Sequence, residues 1–198
     1  ALFPAVKALQ EKLTPKIVYL TARTTGRIAA ENALNILRTR GLRLRSVSLT
    51  AKDKICFSPE CDCTPEECSF AAGYFDRVDA ALEGALSHDD LTRDTIEAIA
   101  REHCVCPFEF SLELVSLVDC VIGDYNYGFA PGVMLQRLFG DSAQRHAVIV
   151  DEAHNLVDRS RDMFSARLDK EAFLVLRRRL KNAQPDIYKA LGRINAWL

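Results

Sequence analysis

Residues 146–152 read His-Ala-Val-Ile-Val-Asp-Glu, and no other stretch restricts the fold as much. Four apolar residues in a row, three of them β-branched, suit a strand buried on both faces. Such strands belong to parallel sheets with helices on either side. The rest of the chain keeps to that plan. Lys16-Ile17-Val18-Tyr19-Leu20 follows Pro15 as a second short apolar run. Leu117-Val118-Asp119-Cys120-Val121-Ile122 is a third, ended by Gly123-Asp124. Leu2, Val6, Leu9 and Leu13 form a helical stripe over 2–13. Ile28, Leu34, Ile36 and Leu37 suit a helix over 27–40, stopped by Gly41. Leu42, Leu44 and Ser46 alternate with Arg43 and Arg45, which predicts a strand over 42–49. The expectation is an α/β chain with a parallel sheet.

The alternation breaks between Lys52 and Pro107. No strand signal occurs there, helices are expected near 70–86 and 90–103, and six of the seven cysteines lie in this stretch. It reads as an insertion into one α/β domain. A helix over 107–116 restores the pattern. Beyond Asn155 the chain turns charged and helical. Leu168, Phe173, Leu174, Leu176 and Leu180 suit one helix, and Pro185 is placed to start another.

An odd cysteine count with irregular spacing argues against a disulfide framework. Clustered cysteines without a secretion signal point to a reduced, intracellular compartment and to a metal. Four thiolates hold an iron–sulfur cubane. Zinc takes the same ligands but usually from close C-x₂₋₄-C pairs. Here Cys63 and Cys68 form one loose pair, and the scattered remainder favours a cluster over zinc. Cys120 lies inside an apolar run and is assigned to the core.

The formal net charge is −1, so any nucleic-acid site has to be a local patch. No apolar run is long enough to span a bilayer. Asp151 and Glu152 close the run 147–150 at its carboxyl end, where open α/β sheets bind ligands. Phosphoryl transfer from ATP needs a carboxylate to hold Mg²⁺ and a second group to orient the attacking water. Asp151 suits the first role and Glu152 the second.

With Ala153-His154-Asn155 following, this stretch resembles the Walker B segment of DEAH-box helicases. Lys54-Ile55-Cys56, Cys63-Thr64-Pro65-Glu66-Glu67-Cys68 and Cys106-Pro107-Phe108-Glu109 precede it in that order. Together they resemble the XPD/DinG family of iron–sulfur DNA helicases. The resemblance implies a RecA-like sheet core, an inserted helical domain holding a [4Fe-4S] cluster, and the start of a helical arch domain. It implies Cys56, Cys63, Cys68 and Cys106 as cluster ligands, with Cys61 and Cys104 as extras two residues from a chosen ligand. The Cys-Pro pair favours Cys106 over Cys104, whereas Cys61 remains a competitor of Cys63. It implies that His154 couples nucleotide to DNA. Tyr19-Leu20-Thr21-Ala22-Arg23-Thr24 is similar to the family's motif Ia, which makes Thr21, Arg23 and Thr24 DNA-backbone contacts. Asp124-Tyr125-Asn126-Tyr127 resembles the stretch after the cluster, where aromatic rings can stack on bases or simply pack.

On this resemblance, residues 1–50 and 108–157 are two parts of one motor domain. Residues 51–107 are the cluster insertion, and 158–198 begin the arch. The implied activity is 5′→3′ translocation on single-stranded or forked DNA, driven by Mg-ATP. One departure is important. The family's Gly-x-x-x-x-Gly-Lys-Ser/Thr loop occurs nowhere in the sequence. The chain therefore reads as an internal piece, inactive as an ATPase alone, that also lacks a second motor domain. The alternative is a non-catalytic, zinc-bearing nucleic-acid-binding module.

Overall fold

The computed structural model describes residues 1–140 and 145–197. In chain order the elements are α1 (Leu2–Gln10), β1 (Ile17–Thr21), α2 (Thr24–Thr39), β2 (Ser46–Ser48), α3 (Lys52–Ile55) and α4 (Tyr74–Ala85). Then come β3 (Asp90–Leu91), α5 (Arg93–Glu102), α6 (Pro107–Leu114), β4 (Cys120–Asp124), α7 (Asn126–Phe129), α8 (Gln136–Phe139) and β5 (Ala147–Val150). A 3₁₀ turn, Ala153–Asn155, leads into α9 (Leu156–Met163), followed by α10 (Lys170–Leu180) and α11 (Pro185–Trp197).

The strands form one sheet in the order β3-β2-β4-β1-β5, and every pairing is parallel. This is the α/β architecture expected, with one departure: β5, read from its apolar run as buried on both faces, is an edge strand whose Val148 is 45% exposed. β1 lies inside the sheet between β4 and β5, with all five residues buried. Its register sets Tyr19 opposite Ile122 on β4 and Ile149 on β5. Because side chains alternate along a strand, β1 serves both faces. Ile17 and Tyr19 pack with Leu2 and Val6 of α1 and Ala30 and Leu34 of α2. Val18 and Leu20 join Tyr74 and Val78 of α4, Ile96 and Ile99 of α5, and Phe110 and Leu114 of α6. The cysteine-bearing stretch thus shares its core with the sheet.

Several expected boundaries move for local reasons. α1 stops at Gln10, and Lys12 adopts a left-handed φ of 58°, so Leu13 leaves the stripe and stands 74% exposed. β2 begins at Ser46 rather than near 42. The amide of Arg45 bonds the Asp119 carboxylate at 2.8 Å instead of a strand partner. β3 falls where no strand was expected. Asp89 and Asp90 carry no strand pattern, yet the free edge of β2 pairs Ser46 with Asp90 and Val47 with Leu91. Leu91 is fully buried in return. β4 begins at Cys120, whose side chain is buried as expected. Lys16 reaches across to donate to the carbonyls of Val115 (2.6 Å) and Val118. Its burial pulls its pKa below the usual lysine range.

Residues Ala1–Met163 form one compact unit and Phe164–Leu198 a second. The second is a pair of helices, α10 and α11, with α11 starting at Pro185 as its N-terminal proline predicts. Arg177 stacks 4.5 Å over the Tyr188 ring and donates to its hydroxyl at 3.3 Å. Among the described residues, no helix is long and apolar enough to cross a membrane.

Candidate functional site

Parallel strands all point their carboxyl ends the same way, so the loops after β1, β2, β4 and β5 share one edge of the sheet. A cavity of about 310 Å³ opens there, lined by Thr21, Ala22, Arg23, Thr25, Gly26, Asp151 and Glu152. It unites the residues after β1 with both carboxylates after β5. The backbone explains the approach. The Asp151 amide donates to Leu20 O at 2.8 Å, extending the β1–β5 ladder one residue beyond β5. Gly26, in the first turn of α2, faces Asp151. A Cβ there would stand 2.7 Å from the Asp151 carboxylate and would also meet the Thr21 hydroxyl. Only glycine lets α2 start this close.

Two tyrosines fix the acidic pair. The Tyr19 hydroxyl is pushed up to about 12 by burial and by the neighbouring Asp151 carboxylate. The fully buried Tyr125 donates to the carbonyls of Asp151 and of Glu152, the latter at 3.0 Å. Glu152 itself has φ 52° and ψ 42°, a left-handed conformation that costs a non-glycine residue free energy. The Tyr125 bonds hold that turn, which leaves the Glu152 side chain exposed. His154 Nδ1 lies 3.4 Å from the Glu152 carboxylate. Arg159 of α9 pairs with Asp124 at 3.3 Å.

A second opening of about 310 Å³ adjoins the first on the same edge. Arg23, Thr24, Arg27, Lys54 and Asn126 line it. Arg23 and Thr24 are exposed, whereas Thr21 is buried, its hydroxyl 3.4 Å from the Arg23 amide. Tyr125 and Tyr127 are both buried. Of the two roles open to them, packing is the one realised, and base stacking is excluded for Tyr125. Tyr127 lines the opening only with a ring 6% exposed.

The cysteines gather elsewhere. A cavity of about 510 Å³ is lined by Cys56, Cys63, Cys68 and Cys106, together with Phe57, Phe70 and Tyr74. Cys61 lines a neighbouring cavity with Cys56 and Cys63. Cys104 lines neither. Its φ of 54° turns its thiol toward Ser69 O, 3.9 Å away. Cys106 is the N-cap of α6, and Pro107 at the first helical position fits the Cys-Pro pairing. Burial raises the Cys106 pKa, and the first amides of α6, at Phe108 and Glu109, work against that rise. The nearby Cys63 holds the Lys52 ammonium above its usual range. In type and number the four thiols suit the ligand set of a cubane cluster. Among the described residues, no three His, Cys, Asp or Glu side chains are grouped to hold a single metal ion.

Sequence reasoning did not single out Tyr19, Gly26, Arg27, Lys52 or Arg77. Tyr19 opens the stretch that resembles motif Ia but has no role in that resemblance, and Gly26 lies where the sequence scans as an ordinary helix start. Their contacts come from β1 and β5 lying side by side, which no local pattern encodes.

The DEAD_2 family model matches residues 43–173. A curated relative, the regulator of telomere elongation helicase 1 homolog of Anopheles gambiae, is 27% identical over 184 residues, covering 83% of this chain and 18% of the relative. A solved truncated XPD superposes with a TM-score of 0.61 at 17% identity, covering 98% of this chain and 56% of that one. A solved XPD helicase gives 0.54 at 16% identity, covering 96% and 34%. The chain therefore spans well under two thirds of these relatives. The solved structures share its fold, and the family match over most of its length shows that the chain belongs to the DEAD_2 family.

Proposed function

We propose that this chain is the part of an ATP-dependent DNA helicase that carries the hydrolytic carboxylates and one DNA-backbone contact. The observation behind the reading is the single cavity in which the loop after β1 meets Asp151 and Glu152. Asp151 would hold Mg²⁺, which supplies charge neutralisation of the phosphates when bound. Glu152 would orient the attacking water and take its proton. Its left-handed turn presents the carboxylate to solvent, and the Tyr125 hydroxyl keeps that turn in place. His154, beside Glu152, would relay between nucleotide and DNA. Arg23 and Thr24, both exposed, would meet the phosphates of single-stranded DNA, at forks in the 5′→3′ sense implied by the family resemblance, while the buried Thr21, expected as a third contact, would act by holding the Arg23 amide. Cys56, Cys63, Cys68 and Cys106 would hold a [4Fe-4S] cluster, supported by the shared cavity. The division into motor parts 1–50 and 108–157, cluster insertion 51–107 and arch from 158 belongs to the same proposal, as does an intracellular site of action.

The test is Glu152→Gln in a protein that also carries the phosphate loop and second motor domain. Removing the base while keeping the shape lowers ATP turnover at least about a hundredfold, with ATP and single-stranded DNA binding retained. Turnover within a few-fold of the parent ends the assignment. The 198-residue chain alone is expected not to turn over ATP, since no lysine and backbone cradle for the phosphates is in its sequence. Protein purified without air is expected to be brown and to contain iron and sulfide. A colourless, zinc-loaded protein without turnover in any context would favour the non-catalytic zinc module.

A further inference from the structure

We propose that Arg77 is the positioning residue of the cysteine cavity, its guanidinium tying the backbone after Cys68 to the backbone before Cys106. This rests on the reading of that cavity as a cluster site. Arg77 lies on α4 and does not line the cavity itself. Its Nη2 donates to Ser69 O at 3.2 Å, to Ala72 O, and to Cys104 O at 2.7 Å. Its Nε donates to Cys104 O at 3.1 Å. One side chain therefore joins two segments whose contact spans 35 residues of sequence.

Two unusual backbone conformations accompany the clamp. Gly73, the N-cap of α4, has φ 61°, and a Cβ there would stand 3.0 Å from Arg77 Nη1. Cys104 takes φ 54°, uncommon for a residue with a side chain. In that conformation its carbonyl meets Arg77 and its thiol meets Ser69 O. Cys106, two residues on, lines the cavity instead. The arrangement suits arginine. A planar guanidinium presents five N–H donors in a fixed fork and stays charged, so it can satisfy several carbonyls at once. A lysine ammonium is a compact charge that cannot span them. Cluster ligands drawn from separate segments are only as well placed as the groups that tie those segments together.

The test uses the whole 198-residue chain, reconstituted with iron and sulfide without air, as parent, Arg77→Lys and Arg77→Met. The measurements are iron and sulfide per chain and the rate of iron loss to a chelator. Far-UV circular dichroism and the thermal midpoint serve as checks on the fold. Arg38→Met is the control, because Arg38 makes a similar fork to Leu44 O, Asp89 O and Ser46 Oγ at the β2 and β3 edge. Loss of a supporting partner of this kind weakens metal sites about 10–100-fold. Arg77→Met should release iron faster on that scale, Arg77→Lys should fall between it and the parent, and Arg38→Met should lower the thermal midpoint without matching that release. Release from Arg77→Met at the parent's rate, or no faster than from Arg38→Met at equal stability, overturns the proposal. A parent that takes up no iron or sulfide would end the cluster reading instead. Alkylation of Cys68 and Cys106 in the metal-free chain then decides the clamp by itself: faster reaction in Arg77→Met sustains it, and unchanged reaction overturns it.

Discussion

Tyr125 and Tyr127 sit two residues apart and do different work. Tyr125 holds the carbonyls of Asp151 and Glu152. Tyr125→Phe keeps the ring in the core and removes only the hydroxyl, leaving a strained Glu152 turn without its donor. In a turnover-competent parent it should lower kcat about tenfold while leaving the KM for ATP nearly unchanged, because the role proposed for Glu152 is on the attacking water and not in nucleotide binding. A rise in KM alone would show that the hydroxyl does not position Glu152. Tyr127 donates to Thr50 O at 3.4 Å, and burial, with Asp124 and Asp53 adding to it, pushes its pKa up to about 12. The raised value sets the sign. The unfolded tyrosine loses its proton first, near pH 10, so stability is fully present below that pH and is lost as pH rises toward 12. Tyr127→Phe should flatten the fall of the urea midpoint above about pH 10. An unchanged slope would mean that the hydroxyl titrates alike in both states.

Among the elements, β3 is the least expected and the most informative. Two residues long, it completes the sheet edge and brings Leu91 into the core shared by α4, α5 and α6. Most of its worth is the buried side chain rather than the two-residue ladder. Leu91→Ala removes a fully buried side chain, and deletions of this kind cost about 2–5 kcal/mol. Chemical denaturation should register that loss as a lower midpoint with an unchanged m-value. A cost below about 0.5 kcal/mol, the level of surface substitutions, would show that β3 is not integral. The cavity lined by Cys56, Cys63, Cys68 and Cys106 takes the rest of its wall from two of these helices, through Tyr74 and Phe75 of α4 and Pro107, Glu109 and Glu113 of α6. Its geometry therefore depends on how α4 and α6 pack on the sheet.

For the molecule as a whole, the near-neutral charge limits the strength of any nucleic-acid contact. Arg23 is exposed at the groove on the carboxyl edge, with Arg27 and Lys54 along the same lining. Arg23→Ala should weaken single-stranded DNA binding alike across sequences and reduce the salt slope by about one unit, the share of one phosphate contact. Titrations at several salt concentrations would detect this. Equal affinity and slope in the variant and its parent would leave Arg23 and Thr24 as an ordinary exposed turn between β1 and α2.

The sequence by itself determined the parallel α/β core, because apolar runs of four or five residues between helical stripes have few other ways to bury both faces. It also marked Asp151 and Glu152 as a strand-end pair and Cys120 as core. It named the four cysteines that line one cavity through their resemblance to a family. Tertiary structure alone decided what those residues meet. β3 exists because β2 offers an edge, and Leu13 is exposed because Lys12 turns the chain. Tyr19, Tyr125 and Gly26 surround Asp151 because β1, β4 and β5 are neighbours in space. Local patterns encode which face of an element is apolar. They do not encode which distant backbone a hydroxyl or a guanidinium reaches, since that follows from strand order and register, which are settled only when the whole sheet packs.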